Sequence, residues 1–193
     1  MAEKDRFDPL AVLAALERNY VHYVLIGGLA QVLRGADLIT AGVDICPSPR
    51  PDSLQRLSQA TSELDARPAD RRARLADERW LAEQEIVRLS TSAGPLNVVL
   101  EPAGAPRGFL DLRTAATREP LGDGLQPSVA STRDLARLAV TLHRNKDGPR
   151  LAQLRRIIEL EANRVRTIPR GPSIDRSVRV PDYSIQRGPT IKP

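Results

Sequence analysis

The stretch Val24-Leu25-Ile26-Gly27-Gly28-Leu29-Ala30, together with Thr40-Ala41-Gly42-Val43-Asp44-Ile45, decides which fold this chain adopts. A short apolar run rich in aliphatic residues predicts a buried strand. The glycine pair breaks that strand and opens a short helix over 29–34. A strand that enters a glycine pair at a helix start exposes backbone N–H groups where a triphosphate can sit. Residues two apart on the strand that follows share one face. Carboxylates spaced that way can hold magnesium ions, which bridge phosphate oxygens and align an attacking hydroxyl. A Gly-Gly pair after a strand is weak evidence alone, and it gains specificity when an acidic strand follows a short helix.

Working outward, Asp8-Pro9 is a good helix start, with a capping carboxylate and a proline in the first turn. Leu10, Val12, Leu13 and Leu16 give that helix an apolar face as far as Asn19. Residues 20–26 read as the first strand, and residues 39–46 contain the second, which Pro47, Pro49 and Pro51 end. Asp52-Ser53 lead a helix with Leu54, Leu57 and Leu64 on one face. Residues 70–85 are highly charged and read as partly helical, with Trp80 and Leu81 as apolar contacts. Residues 86–90 and 96–100 form a hairpin about Ser92-Ala93-Gly94-Pro95. A loop over 102–108 leads to a short helix at 109–115. Ser131 caps a helix to about Leu142, and a last helix covers 149–165, with Leu151, Leu154, Ile157, Ile158 and Glu161 inward.

Past Ile168 the composition changes to prolines alternating with arginines, a pattern that cannot form a core of its own. Two regions are therefore expected: a domain over 1–168, helical from about 131, and an extended Pro/Arg-rich tail over 169–193. The fold class is α/β (α+β), a small mixed sheet flanked by helices. At 193 residues and 41 % hydrophobic content, the chain can bury a core of ordinary size. Its apolar runs fall far short of a bilayer span, so no membrane segment is expected. The first residues lack a signal-peptide apolar core, which predicts a cytoplasmic protein. Cys46, the single cysteine, excludes an intrachain disulfide and a cysteine-rich zinc site, and reads as a small core residue. His22 and His143 show no metal-ligand spacing.

The net charge of +5 comes almost wholly from arginine, with lysine only at Lys4, Lys146 and Lys192. Arginine suits bidentate phosphate contacts. The codon bias of a GC-rich genome explains the same excess, so charge permits a nucleic-acid partner without requiring one.

Residues 23–64 resemble the minimal nucleotidyltransferase family, in particular the AbiEii and MenT type of toxin. Its members carry a strand, a Gly-Gly or Gly-Ser turn, a helix, and then a Thr-x-Asp-hydrophobic-Asp strand. The likeness extends over about residues 8–162. Leu89-Ser90-Thr91 to Gly94-Pro95-Leu96-Asn97-Val98-Val99 resembles the hairpin that brings a third carboxylate, and Gly108-Phe109-Leu110-Asp111-Leu112 the short helix after it. Arg144-Asn145-Lys146-Asp147 resembles the family's basic turn. The resemblance implies a nucleotidyltransferase fold, with Mg2+ and an NTP as cofactor and donor if the protein is active. Asp44 would be the catalytic metal ligand, Gly27, Gly28 and Thr40 the nucleotide-binding residues, Arg144 and Lys146 the substrate-phosphate contacts, and Asp147 their support. It also implies an antitoxin protein and tRNA as partners.

Departures from the family pattern are equally specific. Gly42 stands where the first metal-binding aspartate belongs, Asn97 where the third carboxylate belongs, and Ala139 where related toxins place a lysine. Leu38 replaces an arginine common before the Thr-x-Asp strand. One carboxylate of three survives, and a lone aspartate holds magnesium weakly. Read as a mid-strand glycine, Gly42 marks a bulge or close backbone approach, a relic of lost catalysis, or an introduced inactivating change. Three functions follow. The first is impaired or lost catalysis with action through binding. The second is an active magnesium-dependent transferase toxin acting on tRNA or protein, with Asp37 or Asp111 completing the carboxylates. The third is a structural component that joins a protein assembly through residues 169–193.

Overall fold

The computed structural model describes residues 7–69, 84–142 and 148–167. The charged stretch around Trp80 and Leu81, and the arm over 169–193, lie outside them. In chain order the elements are α1 (Pro9–Arg18), β1 (Tyr23–Ile26), α2 (Gly27–Leu33), β2 (Val43–Pro47), α3 (Pro51–Glu63), β3 (Arg67–Pro68), β4 (Ile86–Thr91) and β5 (Gly94–Val99). They continue with α4 (Phe109–Arg113), β6 (Thr117–Arg118), β7 (Ser128–Val129), α5 (Thr132–Leu142) and α6 (Gly148–Thr167).

Among the described residues seven strands form one mixed sheet in the order β3-β4-β5-β2-β1-β7-β6. β1 runs antiparallel to β2 and parallel to β7, while β2 runs parallel to β5. The chain is therefore of the mixed α/β class, a sheet flanked by helices, as expected. All four residues of β1 are buried, and Val43 and Ile45 of β2 and Leu96 and Val98 of β5 are fully buried with them. One face of this centre, with Val43, Ile45, Leu96 and Val98, is wholly buried, while the other carries the half-buried Asp44 and Asn97. The edge strands β3 and β6 hold two residues each, too short for an alternation to show in sequence, and neither they nor β7 was foreseen.

Asp8 caps α1 as expected, its Oδ1 accepting from the Ala11 N–H at 3.1 Å. The buried face is Val12, Leu13, Ala15 and Leu16, whereas Leu10 is half exposed and points away. The first strand is shorter than expected. Tyr20 is exposed and takes a positive φ of 52°, which turns the chain before pairing can begin. The second strand likewise starts at Val43 and not at Ile39, which is 94 % exposed. Thr40 Oγ1 donates to the Gly42 carbonyl at 3.0 Å, closing a local turn that keeps residues 40–42 out of the ladder.

A hairpin forms where expected, but its turn is only Ser92 and Ala93: Gly94 and Pro95, read from sequence as part of the separator, open β5 and pair with Thr91 and Ser90. The nearly buried Thr91 hydroxyl holds this turn, accepting from the Ala93 N–H at 3.1 Å and donating to the Gly94 carbonyl at 2.6 Å. α1 packs on α3, and α5 packs on α2 and on α6. The Ser131 hydroxyl accepts from the Asp134 N–H at 3.1 Å, the expected cap of α5. α6 buries less than its sequence suggests: Leu154 is fully buried, Leu151, Ile157 and Ile158 only partly. Glu161 does not enter the core and instead accepts from Thr132 Oγ1 at 2.8 Å, tying α6 to the start of α5.

Arg34, just past α2, carries a role that sequence did not suggest. Its guanidinium donates to the carbonyls of Ala130 (2.9 Å) and Val129 (2.7 Å) and to Glu119 Oε1 (2.5 Å), fastening α2 to the β7 side of the sheet. Among the described residues no helix is long and apolar enough to cross a membrane.

Candidate functional site

Pairing register brings the site together. Ile26 on β1 lies opposite Asp44 on β2, Asp44 opposite Asn97 on β5, and Asn97 opposite Arg88 on β4. These four residues form one row across the sheet, and all line a cavity of about 370 Å³. α2 contributes Gly27, Gly28 and Gln31 to its wall, and α5 contributes Leu135, Leu138 and Ala139. Of the residues singled out from sequence, Gly27, Gly28, Asp44, Asn97 and Ala139 thus share one space.

Gly27 adopts φ +67°, a left-handed conformation that glycine enters without strain. A Cβ there would stand 2.0 Å from Asp44 Oδ2, so Asp44 can occupy its place only because the turn carries no side chain. Gly28 is packed in the same way: a Cβ would approach Thr40 Oγ1 to 2.8 Å. Thr40 therefore sits behind the glycine turn and is not among the cavity-lining residues.

Gly42 stands in a bend before β2, not within the strand, which corrects the mid-strand reading. Its absent side chain has a packing reason, because a Cβ would meet both the Cβ and the carbonyl oxygen of Pro95 at 3.2 Å. Of the readings offered by sequence, close backbone approach is the one this contact matches.

Asn97 Nδ2 donates to Asp44 Oδ1 at 2.7 Å. An amide hydrogen bonded to a carboxylate oxygen occupies a lone pair that a cation would otherwise take. Among the described residues no group of three or more histidine, cysteine, aspartate or glutamate side chains could hold a metal ion. The donor set around Asp44 does not fit a magnesium ion gripped by paired carboxylates.

Asp37 and Asp111, the expected replacement carboxylates, are not in the cavity wall. Asp111 is turned to Arg107, accepting from its backbone N–H at 2.9 Å and from Nε at 2.7 Å. Those contacts hold its carboxyl below the usual carboxylate range. Glu85 and Glu101 line the cavity instead. Glu101 was legible, since it follows Asn97 and Val99 at the strand period of two; Glu85, in the approach to β4, carried no such signal. Arg88, Arg150 and Gln31 were also missed, and Gln31 lies one helical turn beyond Gly27 on the same face. Arg144, Lys146 and Asp147 lie outside the described residues.

Cys46 is fully buried, and burial pushes its thiol up to about 12, as befits a core residue and not a nucleophile. His22 lines a second cavity, of about 530 Å³, at the opposite end of β1, together with Arg50, Arg113 and Arg118. None of the expected site residues is there.

No protein-family model matches the sequence, and no curated protein matches it. The likeness to nucleotidyltransferase toxins stands on the motifs alone.

Proposed function

We propose that this chain is a nucleotidyltransferase-fold protein of the AbiEii/MenT type it resembles, with impaired or lost catalysis, which acts by binding a nucleotide in the cavity between the sheet and α5. The observation that carries this reading is the 2.7 Å hydrogen bond from Asn97 to Asp44. It turns what the resemblance makes a pair of metal-gripping carboxylates into a singly charged amide–carboxylate pair. Recognition does not need the second carboxylate. The cavity has an apolar wall from α5 and cationic side chains at Arg88 and Arg150. On this reading the partners to seek are an antitoxin protein and tRNA.

The test measures nucleotide binding by the unaltered chain and its magnesium-dependent transfer of labelled NTPs to bulk tRNA and to protein. The expected result is binding without transfer by the unaltered chain. Transfer at ordinary enzymatic rates would overturn the reading and favour an active toxin, for which Glu85 and Glu101, both in the cavity wall, are the carboxylates to mutate next.

A further inference from the structure

We infer that Gln31 reads the base edge of the bound nucleotide, an inference that rests on the nucleotide-binding reading above. Gln31 is 6 % exposed and lines the cavity, yet its Oε1 is closed off from solvent with no hydrogen-bond partner among the described residues. Buried polar atoms are nearly always satisfied, because an orphan forfeits its hydration without return. Leu29 and Ala30, its neighbours on α2, are buried and apolar. A leucine or methionine would fill the position at no such cost, so the amide calls for a partner that the described residues do not supply.

The cavity indicates that partner's shape. Leu135, Leu138 and Ala139 of α5 and Ile86 and Val99 of the sheet present apolar surface suited to the faces of a flat heterocycle. A carboxamide carries a donor and an acceptor side by side, the pattern that matches a nucleobase edge. Among the described residues no hydrogen bond fixes which end of the Gln31 amide carries oxygen, so the side chain can turn either end to the base.

The experiment is equilibrium binding of ATP, GTP, CTP and UTP, in EDTA, to the full chain and to its Gln31→Met and Gln31→Glu variants, with circular dichroism and melting curves as a folding check. The unaltered chain is expected to favour one base over the weakest by about tenfold or more. Gln31→Met should reduce that spread to about twofold, and Gln31→Glu should reorder the four affinities, because one donor becomes an acceptor. A purely structural role would leave the order of affinities unchanged in both folded variants, and that result overturns the inference. Equal affinities in the unaltered chain overturn it as well, while leaving nucleotide binding intact. Failure of the unaltered chain to bind any of the four overturns the inference together with the reading beneath it.

Discussion

Replacing Asn97 by aspartate should lower the melting temperature by about 5–15 °C at neutral to mildly alkaline pH and return most of that loss near pH 5. The substitution removes the N–H that donates to Asp44 Oδ1 at 2.7 Å and puts a second carboxylate in its place. A hydrogen bond to a charged group contributes about 1.5–3 kcal/mol. Two like charges at that separation repel by about 6 kcal/mol at an effective dielectric of about 20. Both side chains are half-buried and can rotate apart, so that repulsion is an upper bound. Proton uptake sets a second ceiling, since protonating a carboxylate of ordinary affinity at pH 7 costs about 4 kcal/mol. The net loss is about 2–4 kcal/mol, and a domain of this size loses about 2–4 °C for each.

The sign of the pH dependence follows from linkage. The aspartate pair would share a proton in the folded state, so its folded pKa lies above the unfolded value. Stability is then lost as pH rises through the folded value and is fully present below the unfolded one. Melting curves of the unaltered chain and Asn97→Asp from pH 5 to 8, with and without magnesium, make the measurement. Magnesium should raise the melting temperature of the variant and leave the unaltered chain unmoved, because only the variant pairs two carboxylates. Equal melting temperatures at pH 8, or a gap that persists undiminished at pH 5, would refute the reasoning.

Gly27→Ala should cost about 1–2 kcal/mol from the left-handed backbone alone, with more from displacing Asp44, whose Oδ2 lies 2.0 Å from the new Cβ; an unchanged melting temperature would refute that contact. Cys46, buried and pushed up to about 12, should resist Ellman's reagent at pH 8 in the native protein and release one thiol equivalent in guanidinium. Asp111→Asn should destabilise the protein at neutral pH, because Arg107 holds the native carboxyl low. That contribution is complete above the unfolded value and disappears as pH falls through the depressed folded one. The gap between the two proteins in urea unfolding should therefore close in acid, and an equal gap at pH 7 and pH 2.5 would exclude the pairing.

Legibility in the sequence followed the range of the interactions. Helix caps were readable because their partners lie three residues apart, as in Asp8 to Ala11 and Ser131 to Asp134. The hairpin was readable from its two apolar runs, whereas its turn was not, because Gly94 and Pro95 suit a separator by composition yet pair within β5. Strand starts were not, because the side-chain turn from Thr40 to Gly42 and the positive φ at Tyr20 interrupt runs whose composition continues to suit a strand. β7 and β6 were invisible for another reason. Two residues carry no periodicity, and their place depends on Arg34, some 85–95 positions away in the chain, reaching Glu119 and Val129.

The site was half legible in the same sense, and its other half alters what a repair can achieve. Gly42, Asn97 and Ala139 read from sequence as three separate losses. In the fold, Gly42 accommodates Pro95 and Asn97 supplies a donor to Asp44, so two of the three positions belong to a packed, hydrogen-bonded arrangement. Restoring aspartate at Gly42 alone would press a side chain against Pro95, at 3.2 Å from its Cβ and carbonyl oxygen, while the amide continues to occupy Asp44 Oδ1. Restoring it at Asn97 alone would introduce the repulsion without the third carboxylate. The double variant Gly42→Asp/Asn97→Asp is therefore the one expected to gain magnesium affinity beyond the sum of its parts, as side chains that share a partner couple strongly. Additive behaviour in magnesium titrations of the two single variants and the double would show that Asp44 does not link these positions.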